Sequence, residues 1–203
     1  MPQHDTVIFD LGGVLLDWDP RHLYRRLFAG DEAAMEDFLA NICNTAWNRR
    51  QDAGRLVVEA CSLLKAEHPD RAELIDAYYT RHLDMIAGPI EGTVEILAKL
   101  RARGAKLYFL SNYSAETYPL ALGRFEFLSW FAGGIVSGAH GVLKPDPEIY
   151  RLLIERYAID PRRAVFIDDV AVNAEAARAF GIRDIHFTSP HALREELMEV
   201  GLL

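Results

Sequence analysis

The run Val7-Ile8-Phe9 leading into Asp10, with Gly12 and Gly13 close behind, constrains this chain more than any other stretch. Apolar throughout and rich in strand formers, it reads as a strand buried on both faces, the habit of a parallel sheet. An aspartate at the C-terminal end of such a strand stands where open α/β sheets bind their ligands. The two glycines permit a sharp turn and let the backbone approach a small ligand closely. From this stretch alone the competing reading is a strand that ends in a turn, with Asp10 as a helix cap.

The rest of the chain divides in two by pattern. Residues 20 to 88 read as helical. Asp19-Pro20 gives a cap and a first-turn proline, and Leu23, Tyr24, Leu27 and Phe28 follow at helical spacing. Further helices are expected from Asp31 to about Ile42, from Leu56 to Glu67 and from Arg71 to Ile86, with no strand between them. From Gly88-Pro89 onward strands and helices alternate. Lys106–Leu110, Gly134–Ser137, Ala164–Ile167 and Asp184–Phe187 are the strands; Asp146-Pro147 and Ser189-Pro190 open helices, and Pro119 belongs in a first turn. Alternation of this kind predicts an α/β fold with a parallel sheet and right-handed crossovers, into which a helical block is inserted after the first strand.

Composition narrows the partners. A formal charge of −8 over 203 residues argues against a nucleic-acid surface. No apolar run approaches the ~20 residues of a membrane helix. Cys43 and Cys61 are the only cysteines, and their spacing suits no metal or redox motif. With no basic-then-apolar leader after Met1, they predict a reducing, cytoplasmic setting. The seven histidines are scattered without ligand spacing and read as surface or structural.

Set side by side, the strand ends carry the chemistry. Apolar strands terminate in Asp10, in Ser111-Asn112 and in Asp168-Asp169, while Lys144 precedes the helix opened by Asp146-Pro147. In a doubly wound sheet these converge on one edge. Three carboxylates together raise each other's pKa and stay ionised only around a cation; an all-oxygen donor set selects Mg2+ over zinc. Lys144 adds fixed positive charge. This is a site suited to phosphoryl transfer, with Asp10 as nucleophile, Ser111 and Asn112 on the phosphate oxygens together with the turn amides at Gly13, and Asp169 and Asp168 on the metal.

The four segments Phe9-Asp10-Leu11-Gly12-Gly13-Val14, Leu110-Ser111-Asn112, Lys144-Pro145-Asp146-Pro147-Glu148-Ile149-Tyr150 and Phe166-Ile167-Asp168-Asp169 occur in order. Together they resemble the motifs of the haloacid dehalogenase-like hydrolase superfamily, in its helical-cap branch similar to sugar-phosphate phosphatases. The resemblance implies a Rossmann-like core over 1–17 and 89–203 and a mobile helical cap over 18–88. It also implies Asp10 and the Gly12 carbonyl among the metal ligands, and an aspartyl-phosphate on Asp10. Trp47, Arg49, Arg50, Gln51, Asp52 and Gly54 fall where such proteins place a substrate-specificity loop. An aromatic beside two arginines suits a sugar and a second anionic group, which singles out Trp47 and Arg49; packing of Trp47 in the cap is the alternative.

The chain departs from the family pattern at Gly12, where most family phosphatases carry a second aspartate as general acid and base. Such help is typically worth about 10²–10⁴-fold. Asp17, Asp19 or a bound water are the candidates for replacing it. Asn173, in the helix after the fourth motif, is expected either to orient a metal-bound water or simply to sit in a first turn. The expected protein is thus an Mg2+-dependent hydrolase of a small phosphorylated metabolite, a monomer or homodimer, without membrane or nucleic-acid partners. The alternatives are a 2-haloacid dehalogenase using the same Asp10, against which the Asp168-Asp169 pair speaks, and a catalytically weak binding protein that keeps the pocket.

Overall fold

A computed structural model describes residues 4–203 of the chain. The chain enters through β1 (Thr6–Phe9) and turns back into β2 (Leu16–Trp18). Five helices follow: α1 (Pro20–Leu27), α2 (Glu32–Asn41), α3 (Thr45–Asp52), α4 (Val57–Glu67) and α5 (Ala72–Thr80). It returns through β3 (Ile86–Pro89) and then alternates: α6 (Glu91–Ala102), β4 (Lys106–Ser111), α7 (Tyr118–Arg124), β5 (Gly133–Val136), α8 (Pro147–Tyr157), β6 (Ala164–Asp168), α9 (Ala171–Ala176), β7 (Arg183–His186) and α10 (Pro190–Glu199).

The main sheet has five strands in the order β5-β4-β1-β6-β7, all parallel. The central strand β1 is the one whose sequence is apolar without alternation, and all four of its residues are buried. Alternate residues feed opposite faces, as the strand pleat requires. Val7, Phe9, Val165 and Ile167 pack with α6 and α10 on one side, while Ile8 and Phe166 pack with Ile149, Tyr150 and Leu153 of α8 on the other. The chain lays β4 and β5 on one side of β1 and then β6 and β7 on the other. Strand order therefore reverses between β1 and β6, and the crevice that such a reversal opens lies beyond their C-terminal ends.

The helices between β2 and β3 build a core of their own, from Leu23, Tyr24, Met35, Phe38, Ile75 and Tyr78 among others. The structure differs from the sequence expectation here at three points. Leu16–Trp18 and Ile86–Pro89 are strands, not helix or connection, and pair antiparallel as a two-stranded ribbon where the chain leaves and re-enters the sheet layer. The helix expected over Arg71–Ile86 stops at Thr80, because Ile86 is drawn into that ribbon. The stretch expected as a loop contains α3, whose sequence is polar enough to hide its period; the Asn44 side chain caps it by accepting from the Trp47 N–H at 2.8 Å. The caps at Asp19, Asp146 and Ser189 and the first-turn Pro119 stand as the sequence predicts. No helix among the described residues is long and apolar enough to cross a membrane.

Candidate active site

Asp10 is the first residue past β1. Its backbone N–H donates to the Ile167 carbonyl at 2.8 Å, so the β1–β6 ladder fixes its position. One carboxylate oxygen accepts the Leu11 N–H at 2.7 Å. The other lies 2.8 Å from Nζ of Lys144.

Lys144 is fully buried, with 0% of its surface exposed. Its ammonium also meets Oδ2 of Asp168 at 2.6 Å. Burial alone pulls such an amine down; the facing carboxylates of Asp10 and Asp168 more than offset this and hold it above its ordinary value, so it is a fixed cation. Asn112 sets its place from the backbone. The Asn112 amide donates to the Lys144 carbonyl at 3.1 Å, and its oxygen accepts the Lys144 N–H at 2.8 Å. Asp146 and Pro147 then start α8, and the buried side chains of Ile149 and Tyr150 anchor that helix on the sheet.

Asp10, Asp168 and Asp169 offer carboxylate oxygens that all lie within 4.8 Å of one another. Burial and the Asp10 charge push the Asp168 carboxyl upward against the pull of Lys144. The same two causes raise Asp169. Asp169 is exposed and stands against Gly13, at φ 74°. A Cβ built on Gly13 would fall on the Asp169 carboxylate, so the glycine makes room for that side chain. Neither histidine nor cysteine joins the cluster among the described residues, and an oxygen-only, partly hydrated donor set fits Mg2+. Asp10, Asp169 and the carbonyl of Gly12, which lines the adjoining cavity, would hold it. For Gly13→Ala the left-handed backbone costs about 1–2 kcal/mol and the methyl displaces Asp169. The expected result is a lowered melting temperature together with an Mg2+ requirement raised at least about tenfold, read by melting and by titrating activity with Mg2+.

Two cavities meet at Asp10, of about 820 and 310 Å³. The larger runs under α1–α3 and is lined by Trp18, Arg49, Tyr78 and Lys144 among others. The smaller is lined by Ser111, Gly12, Gly13, Tyr79, His82, Tyr113, Ser114 and Thr117. Ser111, the last residue of β4, is thereby brought to Asp10 as the sequence predicts, and Arg49 reaches the cleft from α3.

The expectation for Trp47 is corrected. Trp47 lines neither cavity; it is buried edge-on against Tyr78 at 5.2 Å between ring centroids, because α3 turns that face into the helical core. The Asn112 side chain positions Lys144 through both of its amide atoms, and Asn112 also lines both cavities. Asp168 has both oxygens engaged, one by Lys144 and the other by the Val170 N–H at 2.9 Å and the Asn173 amide at 3.1 Å. It therefore anchors the lysine while remaining one of the three carboxylates grouped at this point, and Asn173 serves Asp168. Asp17 pairs with His22 at 3.1 Å on the ribbon, away from both cavities, and Asp19 caps α1 through one carboxylate oxygen while lining the larger cavity.

His82 is one of the seven histidines read as surface or structural. It is buried, its Nε2 lies 2.8 Å from the Tyr113 hydroxyl, and burial lowers its pKa to about 4, so it is neutral. A lone histidine within a helical pattern offered no signal. The buried Nδ1 of His82 and Oγ1 of Thr117 have no protein partner among the described residues, and both side chains belong to the smaller cavity's wall.

The model of the haloacid dehalogenase-like hydrolase family matches residues 4–181, and the chain belongs to that family. Its relatives include phosphatases. A sesquiterpene phosphatase of Aspergillus oryzae is 25% identical, the match covering 96% of this chain and 95% of that one. A phosphoglycolate phosphatase of Mesorhizobium japonicum is 27% identical over 91% and 85% of the two chains. An (S)-2-haloacid dehalogenase of Burkholderia cepacia is 26% identical over 70% of this chain and 61% of its own. Among solved structures, a family enzyme from Bacteroides thetaiotaomicron, in complex with magnesium and inorganic phosphate, shares the fold. Its TM-score is 0.71 at 23% identity, covering 92% of this chain and 95% of that one.

Proposed function

We propose that the protein is an Mg2+-dependent phosphatase of small phosphomonoesters that works through an aspartyl-phosphate on Asp10. The observation that carries this is the buried Lys144 locked between Asp10 and Asp168, with a second, exposed carboxylate at Asp169 admitted by Gly13. Metal-free displacement at carbon needs the lysine but not the extra carboxylate. The magnesium complex of the Bacteroides enzyme supports the same choice of cation. When bound, Mg2+ supplies positive charge to the phosphoryl oxygens.

The chain's own groups do the rest. Asp10 attacks phosphorus, the Lys144 ammonium and the Ser111 hydroxyl stabilise the equatorial oxygens, and water then cleaves the acyl phosphate. Residues 18–88 act as the cap that closes over the cleft, with Arg49 facing the substrate's far end. The acidic charge and two free, buried cysteines support a cytoplasmic monomer or homodimer acting on a small phosphorylated metabolite, without nucleic acid or membrane.

The test is phosphate release from sugar phosphates, acyl phosphates and nitrophenyl phosphate with and without Mg2+, with halide release from 2-chloropropionate assayed in parallel. Mg2+-dependent phosphate release is expected. Metal-independent halide release would establish the dehalogenase instead, and a folded chain silent in both would point to the binding protein.

A further inference from the structure

Gly12 leaves the leaving group without a proton donor, and one carboxylate stands where the donor is needed. Asp52 ends α3. Together with Asp10 it is among the few residues that line both cavities, so the two carboxylates flank the junction at which the scissile bond must lie. Asp52 comes from the helical block and Asp10 from the sheet, so they approach that junction from opposite layers.

Both ends of the residue are held. The Asn48 amide donates to its Oδ2 at 3.0 Å. Its backbone carbonyl accepts from the buried hydroxyl of Ser137, beyond β5, at 2.6 Å, which ties this corner of the helical block to the sheet layer. Gly54 lies two residues further on, and a Cβ there would press on the Gly138 carbonyl at 3.0 Å.

We propose that Asp52 is the general acid and base of this enzyme, a catalytic residue delivered by the helical block in place of the side chain absent at Gly12. The proposal rests on the phosphatase reading. In the first step a carboxylate oxygen of Asp10 bonds to phosphorus, the bond from phosphorus to the ester oxygen breaks, and the Asp52 proton passes to that oxygen, releasing the alcohol. In the second, water bonds to phosphorus and gives its proton to Asp52, the bond to Asp10 breaks, and both carboxyls return to their starting states.

The surroundings suit a group that carries a proton near neutrality. Burial, opposed by the Arg49 guanidinium of the same helix and reinforced by the Asp10 charge, pushes the Asp52 carboxyl up to about 7, with the Ser114 amide favouring the ionised form. The other titratable groups facing it are the phenols of Tyr78 and Tyr79 from α5 and of Tyr113 after β4. All three are pushed above the ordinary tyrosine value, so they stay neutral. His82 is neutral as well and is no competing acid.

The experiment compares native chain, Asp52→Asn and Asp52→Glu over a series of phosphomonoesters from alkyl to nitrophenyl, in the presence of Mg2+. For Asp52→Asn, kcat/KM on alkyl esters is expected to fall about 10²–10⁴-fold, and on nitrophenyl phosphate, whose leaving group needs no proton, less than about tenfold. Asp52→Glu recovers part of the loss. The native profile for alkyl esters declines as pH rises through about 7, and this limb is expected to vanish in Asp52→Asn. Nitrophenolate appears in a burst in that variant, because the water step has lost its base.

An equal loss across the series, carried mainly by KM, or an unchanged alkaline limb, would overturn the proposal and leave Asp52 a structural residue. Failure of the phosphatase reading shows differently, as a native chain that releases no phosphate from any ester.

Discussion

Asp10→Asn is expected to lose on the order of 10⁶-fold in turnover, the scale of loss when a covalent nucleophile is removed, while remaining folded. The amide is isosteric and keeps the oxygen that accepts the Leu11 N–H. β1 is held by its ladders to β4 and β6, whatever follows it. On the proposed mechanism, what disappears is the oxygen anion that attacks phosphorus, together with one of the two negative charges facing Lys144. The check is phosphate release alongside a melting curve, with covalent phosphate on the chain sought by mass spectrometry after acid quench. Activity within tenfold of native would remove Asp10 from the chemistry and would leave the carboxylate cluster as a binding pocket.

Lys144→Ala has the second large effect, and it acts on both rate and stability. On the proposed mechanism, removing the ammonium that faces Asp10 and Asp168 strips the phosphoryl oxygens of fixed charge, and a fall of several orders of magnitude in turnover is expected, since single preorganised electrostatic contacts are worth about 10²–10³-fold each. It also strands Asp168, which is fully buried. Breaking a buried pair from one side costs about 3–5 kcal/mol. That is a large fraction of the ~5–15 kcal/mol by which such a domain is stable, so the variant is expected to fold but melt much lower.

The pH dependence of that cost has a definite sign. Asp168 already binds its proton more tightly in the folded chain than the ordinary carboxylate does, and without the lysine it binds it more tightly still. A carboxyl raised in this way contributes stability below its unfolded pKa, near 4, and loses it as pH rises through the folded value. The stability gap between native and variant is therefore expected to narrow toward acid, as denaturant midpoints between pH 5 and 8 will show. Near-normal turnover would mean that the lysine does not touch the substrate.

The amino-acid sequence alone determined the sheet and the edge that matters. Val7-Ile8-Phe9 has no polar face to offer water, so it had to be a central strand, and a central parallel strand ending in Asp10 dictates where a ligand goes. Caps such as Asp146-Pro147 were legible because N-cap chemistry is local. The polar α3 was not legible, since its helix is held by an Asn44 cap and by contacts on one buried corner rather than by an apolar stripe.

Tertiary structure alone decided the division of labour within the site. Asn112 and Asp168 had the right chemistry to meet substrate and metal, and only the fold shows both of them also bonded to Lys144. Trp47 had the right chemistry for a sugar, and only the direction of α3 shows it turned inward. Asp52, one carboxylate among many in the sequence, stands across the cleft from Asp10 because a hydroxyl at Ser137, some eighty residues away along the chain, holds its carbonyl. Proximity of this kind is set by packing between layers, which leaves no periodic trace in the sequence.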